Sequence, residues 1–280
     1  MKNRILVACV GIPIILVVLF LLPPIFTPVL IAVLSVIATY EALHAIGMNH
    51  PRIALYTELI AAAIPFWCYF GQAQQWGILV GLAYLLLVFA EAFASHFKVK
   101  LERVGGGFFF ALFISYGLSA IVRIGLLDLR TSYVLLPIAL PFVADAAAMI
   151  TGMKLGRHKL CPTLSPKKTV EGAIGCFVGG ILTCILYGVA FHFITDVDPN
   201  YFYLAFYGIL GSAISQVGDL AFSYVKRTRK IKDYGTIFPG HGGVLDRFDS
   251  VVFCAPLIEL LIIWLPAFSA AAGSGVVGPL

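Results

Sequence analysis

Long apolar runs, each closed by a short polar, glycine or proline interruption, fill most of the chain. They extend from Ile5 to Leu22, Thr27 to Ile46, Ile53 to Phe70, Trp76 to Ser95, Val104 to Leu127, Ser132 to Met153, Val170 to Ile194, Phe202 to Val225 and Leu245 to Phe268. Each is close to the roughly twenty residues that a helix needs to cross a bilayer, so the pattern predicts an all-α, polytopic integral membrane protein with about nine transmembrane helices. Lys2 and Arg4 ahead of the first run also suit a signal peptide. No small-residue cleavage site follows, however, and the second span begins at once after Pro23 and Pro24.

Two runs carry polar residues in informative places. In the eighth, Ser212, Ser215, Asp219, Ser223 and Lys226 recur at intervals of three or four and share one helix face. A lone polar residue there reads as packing glue between helices. Five in a stripe predict the wall of a polar cavity facing the cytoplasm. In the sixth, Asp145 stands inside an apolar span, where an ionisable group is costly and marks function by default. Glu41, Glu58, Glu91 and Glu259 sit alone or near span ends and read as snorkelling or as partners of basic residues. Gly105, Gly106 and Gly107 read as close helix packing.

Composition excludes a soluble domain: 12% of residues are charged and 60% hydrophobic, against about 25% charged in soluble proteins. The six cysteines have no metal-binding or disulfide spacing and behave as small hydrophobes. The net charge of +5 is explained by location rather than by nucleic acid. With the amino terminus cytoplasmic, every Lys and Arg except Arg123 and Arg130 falls on that side. A bacterial plasma membrane suits a chain with no long polar extension before its first span.

The densest chemistry lies between Ser223 and Asp249, which hold six of the nineteen Lys and Arg residues and four glycines. Lys226, Arg227, Lys232 and Arg247 provide donors for phosphate oxygens. Gly240, Gly242 and Gly243 surround His241 and let the backbone approach an anion, with nearby amides able to form a nest. Asp246 and Asp249, at i and i+3, share the first turn of the next helix, and carboxylates facing phosphates suggest a bridging Mg²⁺. His241 suits loop architecture, a phosphate hydrogen bond or acid–base chemistry. A cytoplasmic loop that merely obeys the positive-inside rule explains the charges but not the glycines and carboxylates.

A second polar stretch runs from Lys154 to Gly172. Ser165 or Thr169 is placed to cap the following helix, with Pro166 fixing its entry. Lys167 and Lys168 at a helix amino terminus oppose its dipole unless an anion sits between them. Glu171 reads either as a first-turn acid or as a group orienting these lysines.

These stretches resemble a known family. Ser223, Val225, Lys226, Arg227, Lys232, Asp233, Gly235, Phe238, Pro239, His241, Gly242, Gly243, Val244, Asp246, Arg247, Phe248 and Asp249 match the signature of the phosphatidate cytidylyltransferases, also called CDP-diacylglycerol synthases. Ser165, Pro166, Lys167, Lys168, Thr169, Glu171 and Gly172 match its SPKKTxEG block. Asp145, Ala148, Gly152 and Gly156 match a third region, where Met149 replaces the usual Tyr. The resemblance implies transfer of the cytidylyl group of CTP to phosphatidic acid within a membrane, a second cation such as K⁺ beside Mg²⁺, and a homodimer.

The expected site therefore has Asp219, Asp246, Lys167, Lys226 and Ser223 as catalytic groups. Ser165, Lys168, Arg227, Lys232, His241, Gly242, Gly243 and Arg247 bind substrate, and Asp219, Asp246, Asp249 and, more weakly, Asp145 hold metal. Residues 1–128 form about five amino-terminal spans, 129–270 the catalytic region with cytoplasmic loops 154–169 and 226–247, and 271–280 a flexible tail. A CTP-dependent isoprenoid-alcohol kinase and an anionic-metabolite transporter are the competing readings. No residue announces a base pocket, since Tyr234 and Phe238 read more readily as packing than as stacking groups.

Overall fold

The computed structural model describes residues 11–71, 74–96, 98–195, 197–237 and 242–270. Helices dominate, because the apolar runs satisfy every backbone polar group internally, as a lipid environment demands. After a helical segment that ends in a π-helical turn at Val17–Leu21, α1 spans Phe26–Ala45, α2 Pro51–Phe70, α3 Gln74–Ala94 and α4 Leu101–Leu118. Two short helices follow, α5 (Ala120–Ile124) and α6 (Arg130–Tyr133). The longer α7 (Leu136–Leu155), α8 (Val170–Thr195), α9 (Tyr201–Thr228) and α10 (Leu245–Trp264) complete the set.

Seven described segments are long and apolar enough to cross a membrane. The expected first span lies partly outside the described residues. The expected ninth is the helix α10, whose Asp246, Arg247, Asp249 and Glu259 keep it out of that apolar group. The outward faces agree with a lipid setting: Leu86, Phe193 and Phe202 are 72%, 80% and 78% exposed, an arrangement that water would penalise. The fifth run is one apolar segment with a break at Ser119, whose hydroxyl donates to the Ser115 carbonyl at 2.6 Å.

The chain divides into two compact units, one of Met1–Arg123 with Tyr224–Val252 and the other of Ile124–Ser223 with Phe253–Leu280, counting only described residues. In the first unit α1, α2, α3 and α4 pack together. In the second, α7 lies along α8, and α8 crosses α9 where Gly180 faces Gly208. A Cβ on Gly208 would stand 2.6 Å from the Ile181 backbone, so only glycine permits this approach. Beside this crossing, Tyr207 donates its hydroxyl to the Leu265 carbonyl at 2.6 Å.

The only strands among the described residues form two short antiparallel pairs. β1 (Lys159–Cys161) pairs with β2 (Ser165–Thr169), and β3 (Val197–Pro199) with β4 (Phe268–Ala270). The first pair corrects the expected loop: Pro166 lies in a strand rather than at a helix entry. The cap of α8 is Thr169, whose hydroxyl accepts the Gly172 amide at 3.1 Å.

Candidate active site

In the second unit, the β1–β2 hairpin delivers Lys168 to α9. Its ammonium meets Asp219 Oδ2 at 2.7 Å, with the two side chains 24% and 30% exposed. Ser223 Oγ donates to Asp219 Oδ1 at 3.3 Å, one turn along the same helix. Lys167 is exposed and Ser165 half-buried. Asp145 is half-buried on α7.

Glu171 orients neither lysine. Its carboxylate accepts the Arg157 amide at 3.0 Å and the His158 ring at 2.7 Å, clamping the strand entry onto the first turn of α8. The upper part of the α9 stripe also departs from expectation. Ser212 and Ser215 are fully buried, and Ser212 donates to the Cys176 carbonyl at 3.2 Å. Ser212 is thus a helix-packing contact, and the charged contacts on this face begin at Asp219.

In the first unit, α9 ends in a turn that fixes two cations. The Ile231 amide reaches back to the Lys226 carbonyl at 3.0 Å and the Lys230 amide to the Arg227 carbonyl at 3.1 Å, while Lys230 takes a positive φ of 56°. Lys226 and Arg227 thus occupy the last turn, where the helix dipole favours positive charge. Arg227, Lys232 and Arg247 are exposed.

Lys226 turns inward. Its ammonium bonds Asp246 Oδ1 at 2.8 Å and stands 5.4 Å above the Tyr234 ring. The other oxygen of Asp246 accepts the Tyr234 amide at 2.7 Å and the Gly243 amide at 3.0 Å. Tyr234 is itself buried, so it packs beneath the ion pair; burial first, then Asp246 and Asp249, push its phenol pKa up. Asp249 is buried one turn further along α10, with Oδ1 accepting the Ser250 amide at 2.8 Å.

The turn before α10 holds anions, and in this structure they are the protein's own. The Val244 and Leu245 amides donate to Glu41 at 3.0 and 2.8 Å, beside the Gly243 amide given to Asp246. Glu41 neither snorkels nor pairs with a cation among the described residues. It is the site residue that sequence reasoning missed, and its only signal was an acid within a span. His241 and Phe238 lie outside the described residues. No group of three or more His, Cys, Asp or Glu suited to a metal occurs among the described residues.

Gly242 has φ of 82°, and a Cβ there would stand 2.6 Å from Asp246 Oδ2. Left-handed backbone costs an L-residue roughly 1–2 kcal/mol, and the carboxylate must also shift. Gly242→Ala is therefore expected to lower turnover on the order of tenfold or more, while the protein still folds. Turnover and thermal unfolding measured side by side check this; unchanged turnover would mean that the Asp246 position is not critical.

Membrane-length helices, with a Lys226–Asp246 pair in one unit and a Lys168–Asp219 pair in the other, define a helical membrane protein with paired charges at its polar stretches. The chain belongs to the cytidylyltransferase family, whose model it matches over residues 2–265. It is 43% identical over 131 residues to a phosphatidate cytidylyltransferase of Staphylococcus epidermidis, and 40% and 39% identical over the same length to those of Staphylococcus haemolyticus and Staphylococcus aureus. Each match covers 47% of this chain and 49% of the relative, so the chain spans about half the length of the curated relatives it matches.

Proposed function

We propose that the protein transfers the cytidylyl group of CTP to phosphatidic acid, giving CDP-diacylglycerol and pyrophosphate for phospholipid synthesis. The carrying observation is the Lys226–Asp246 pair, set 12% and 4% exposed within the basic, glycine-rich stretch of a chain that belongs to the cytidylyltransferase family. The names of its relatives supply the lipid substrate.

In this reading a phosphatidate oxygen attacks the α-phosphorus of CTP, the bond from that phosphorus to the bridging oxygen breaks, and pyrophosphate departs. The attacking oxygen is already anionic near neutral pH, so positioning and charge neutralisation matter more than a general base. Lys168 and Lys226, released from their carboxylates by substrate, would neutralise phosphate charge. Arg227, Lys232 and Arg247, exposed in the same stretch as Lys226, would attract the triphosphate.

The donor chemistry suits Mg²⁺, since Asp219, Asp246 and Asp249 are hard oxygen ligands, with Asp145 a further candidate; the family resemblance adds a second cation such as K⁺. Mg²⁺ commonly uses one or two carboxylates and takes its other ligands from substrate phosphates and water, which suits the lack of a preassembled three-acid cage among the described residues. When bound, it would supply Lewis-acid stabilisation of the triphosphate charge. The same reading puts the basic loops on the cytoplasmic face of a bacterial plasma membrane, where CTP is available, in a homodimer.

The test supplies purified protein in detergent with phosphatidic acid, Mg²⁺ and CTP labelled at the α-phosphate. Label entering the lipid phase with one pyrophosphate per lipid is the expected result. Label passing instead from γ-labelled CTP to an isoprenoid alcohol, or tracer uptake into liposomes without turnover, would replace it with the kinase or the transporter.

A further inference from the structure

Glu41 lies in the last third of α1, and is only 2% exposed. Burying a carboxylate without a cation is costly, and such a group persists only when fixed dipoles satisfy it. Here the dipoles come from a segment 203 and 204 residues away: Val244 N donates to Oε1 at 3.0 Å and Leu245 N to Oε2 at 2.8 Å. These amides open α10 and have no partner within the helix. A negative charge at a helix amino terminus is also favoured by the dipole.

The surrounding backbone is shaped to admit that carboxylate. A Cβ on either Gly235 or Gly243 would run into the Glu41 head group, so both glycines leave its room. Three consecutive amides, those of residues 243, 244 and 245, are thereby divided between two acids: the first goes to Asp246 and the next two to Glu41. Asp246 follows directly on the residues that Glu41 holds, and the same Asp246 anchors Lys226.

We propose that Glu41 is the positioning residue of the site: its carboxylate caps α10 from another helix and fixes the 243–245 turn, and through that turn it sets where Asp246 and its lysine stand. It touches no reacting atom. The inference rests on the cytidylyltransferase reading for its kinetic part and on geometry alone for its structural part.

Glu41→Gln tests it with nearly unchanged shape, because the new amide group must point a donor at a donor. Three quantities are measured on the full chain in detergent: hydrogen exchange of peptides covering 242–250 without substrate, kcat and KM with CTP and phosphatidic acid, and thermal unfolding. The expected result is exchange about tenfold faster at 243–246 with α1, α2 and α4 unchanged, and kcat lower by about a hundredfold with KM for phosphatidic acid within a few fold. Glu58→Gln, on α2, serves as control and alters none of these. Should Glu41→Gln not fold, Glu41→Asp keeps the charge with a shorter reach, and the same local rise in exchange with loss of kcat is expected.

Unchanged exchange, or faster exchange with kcat within twofold of the unaltered protein, overturns the proposal. So does faster exchange spread evenly over the whole unit, which would make Glu41 a general stabiliser. A local rise in exchange in a protein that shows no cytidylyl transfer at all would sink the functional reading and leave the capping role standing.

Discussion

Asp246→Asn is expected to reduce cytidylyl transfer by about 10²–10³-fold, the loss typical of removing one preorganised electrostatic group from an active site. Asp246 is 4% exposed at its side chain and saturated with donors: Lys226 on one oxygen, and the Tyr234 and Gly243 amides on the other. Asparagine keeps the size but has one accepting atom. Whichever way it turns, its NH₂ group faces either the ammonium or two amides. Removing one partner of a buried pair costs on the order of 3–5 kcal/mol, so part of the damage falls on stability. The decisive comparison is therefore turnover per folded molecule, with folding followed by thermal unfolding and by size-exclusion chromatography. Near-normal turnover in folded Asp246→Asn would falsify both the metal-ligand role and the placement of this carboxylate at the reaction centre.

The helices were legible because apolar runs of membrane length leave few other solutions. The polar blocks were equally legible, since six cations and four glycines between two apolar runs stand out on any reading. What stayed hidden depends on partners that carry no sequence signal. Glu41 looks like an ordinary snorkelling acid because backbone amides, its actual partners, are the same in every sequence. The β1–β2 hairpin was missed because Ser165–Thr169 alternates no apolar residues, so only the pairing with Lys159–Cys161 reveals a strand. The α9 stripe was placed correctly on one face, yet periodicity cannot say what covers that face. Ser212 meets the Cys176 carbonyl of α8, whereas Asp219, two turns on, meets an ammonium.

Lys168 and Asp219 offer a sharper test, since the same pair has a structural and a functional interpretation. With side chains 24% and 30% exposed, their 2.7 Å contact is worth little to folding, about 0.2–1 kcal/mol for pairs of this kind. A purely structural bridge therefore predicts small effects from Lys168→Met and Asp219→Asn, and recovery when the charges are exchanged in Lys168→Asp/Asp219→Lys. If the lysine instead leaves the carboxylate to bind phosphate, each residue has its own task. Both single variants then lose about 10²-fold or more in kcat/KM for CTP while their unfolding midpoints move only slightly. The exchanged pair stays inactive, because an acid now stands where the triphosphate charge must be met. Recovery of turnover in the exchanged protein would assign the contact to folding alone. Its continued loss, with the ion pair and stability intact, would show that Lys168 and Asp219 are there for their chemistry rather than for the contact they make.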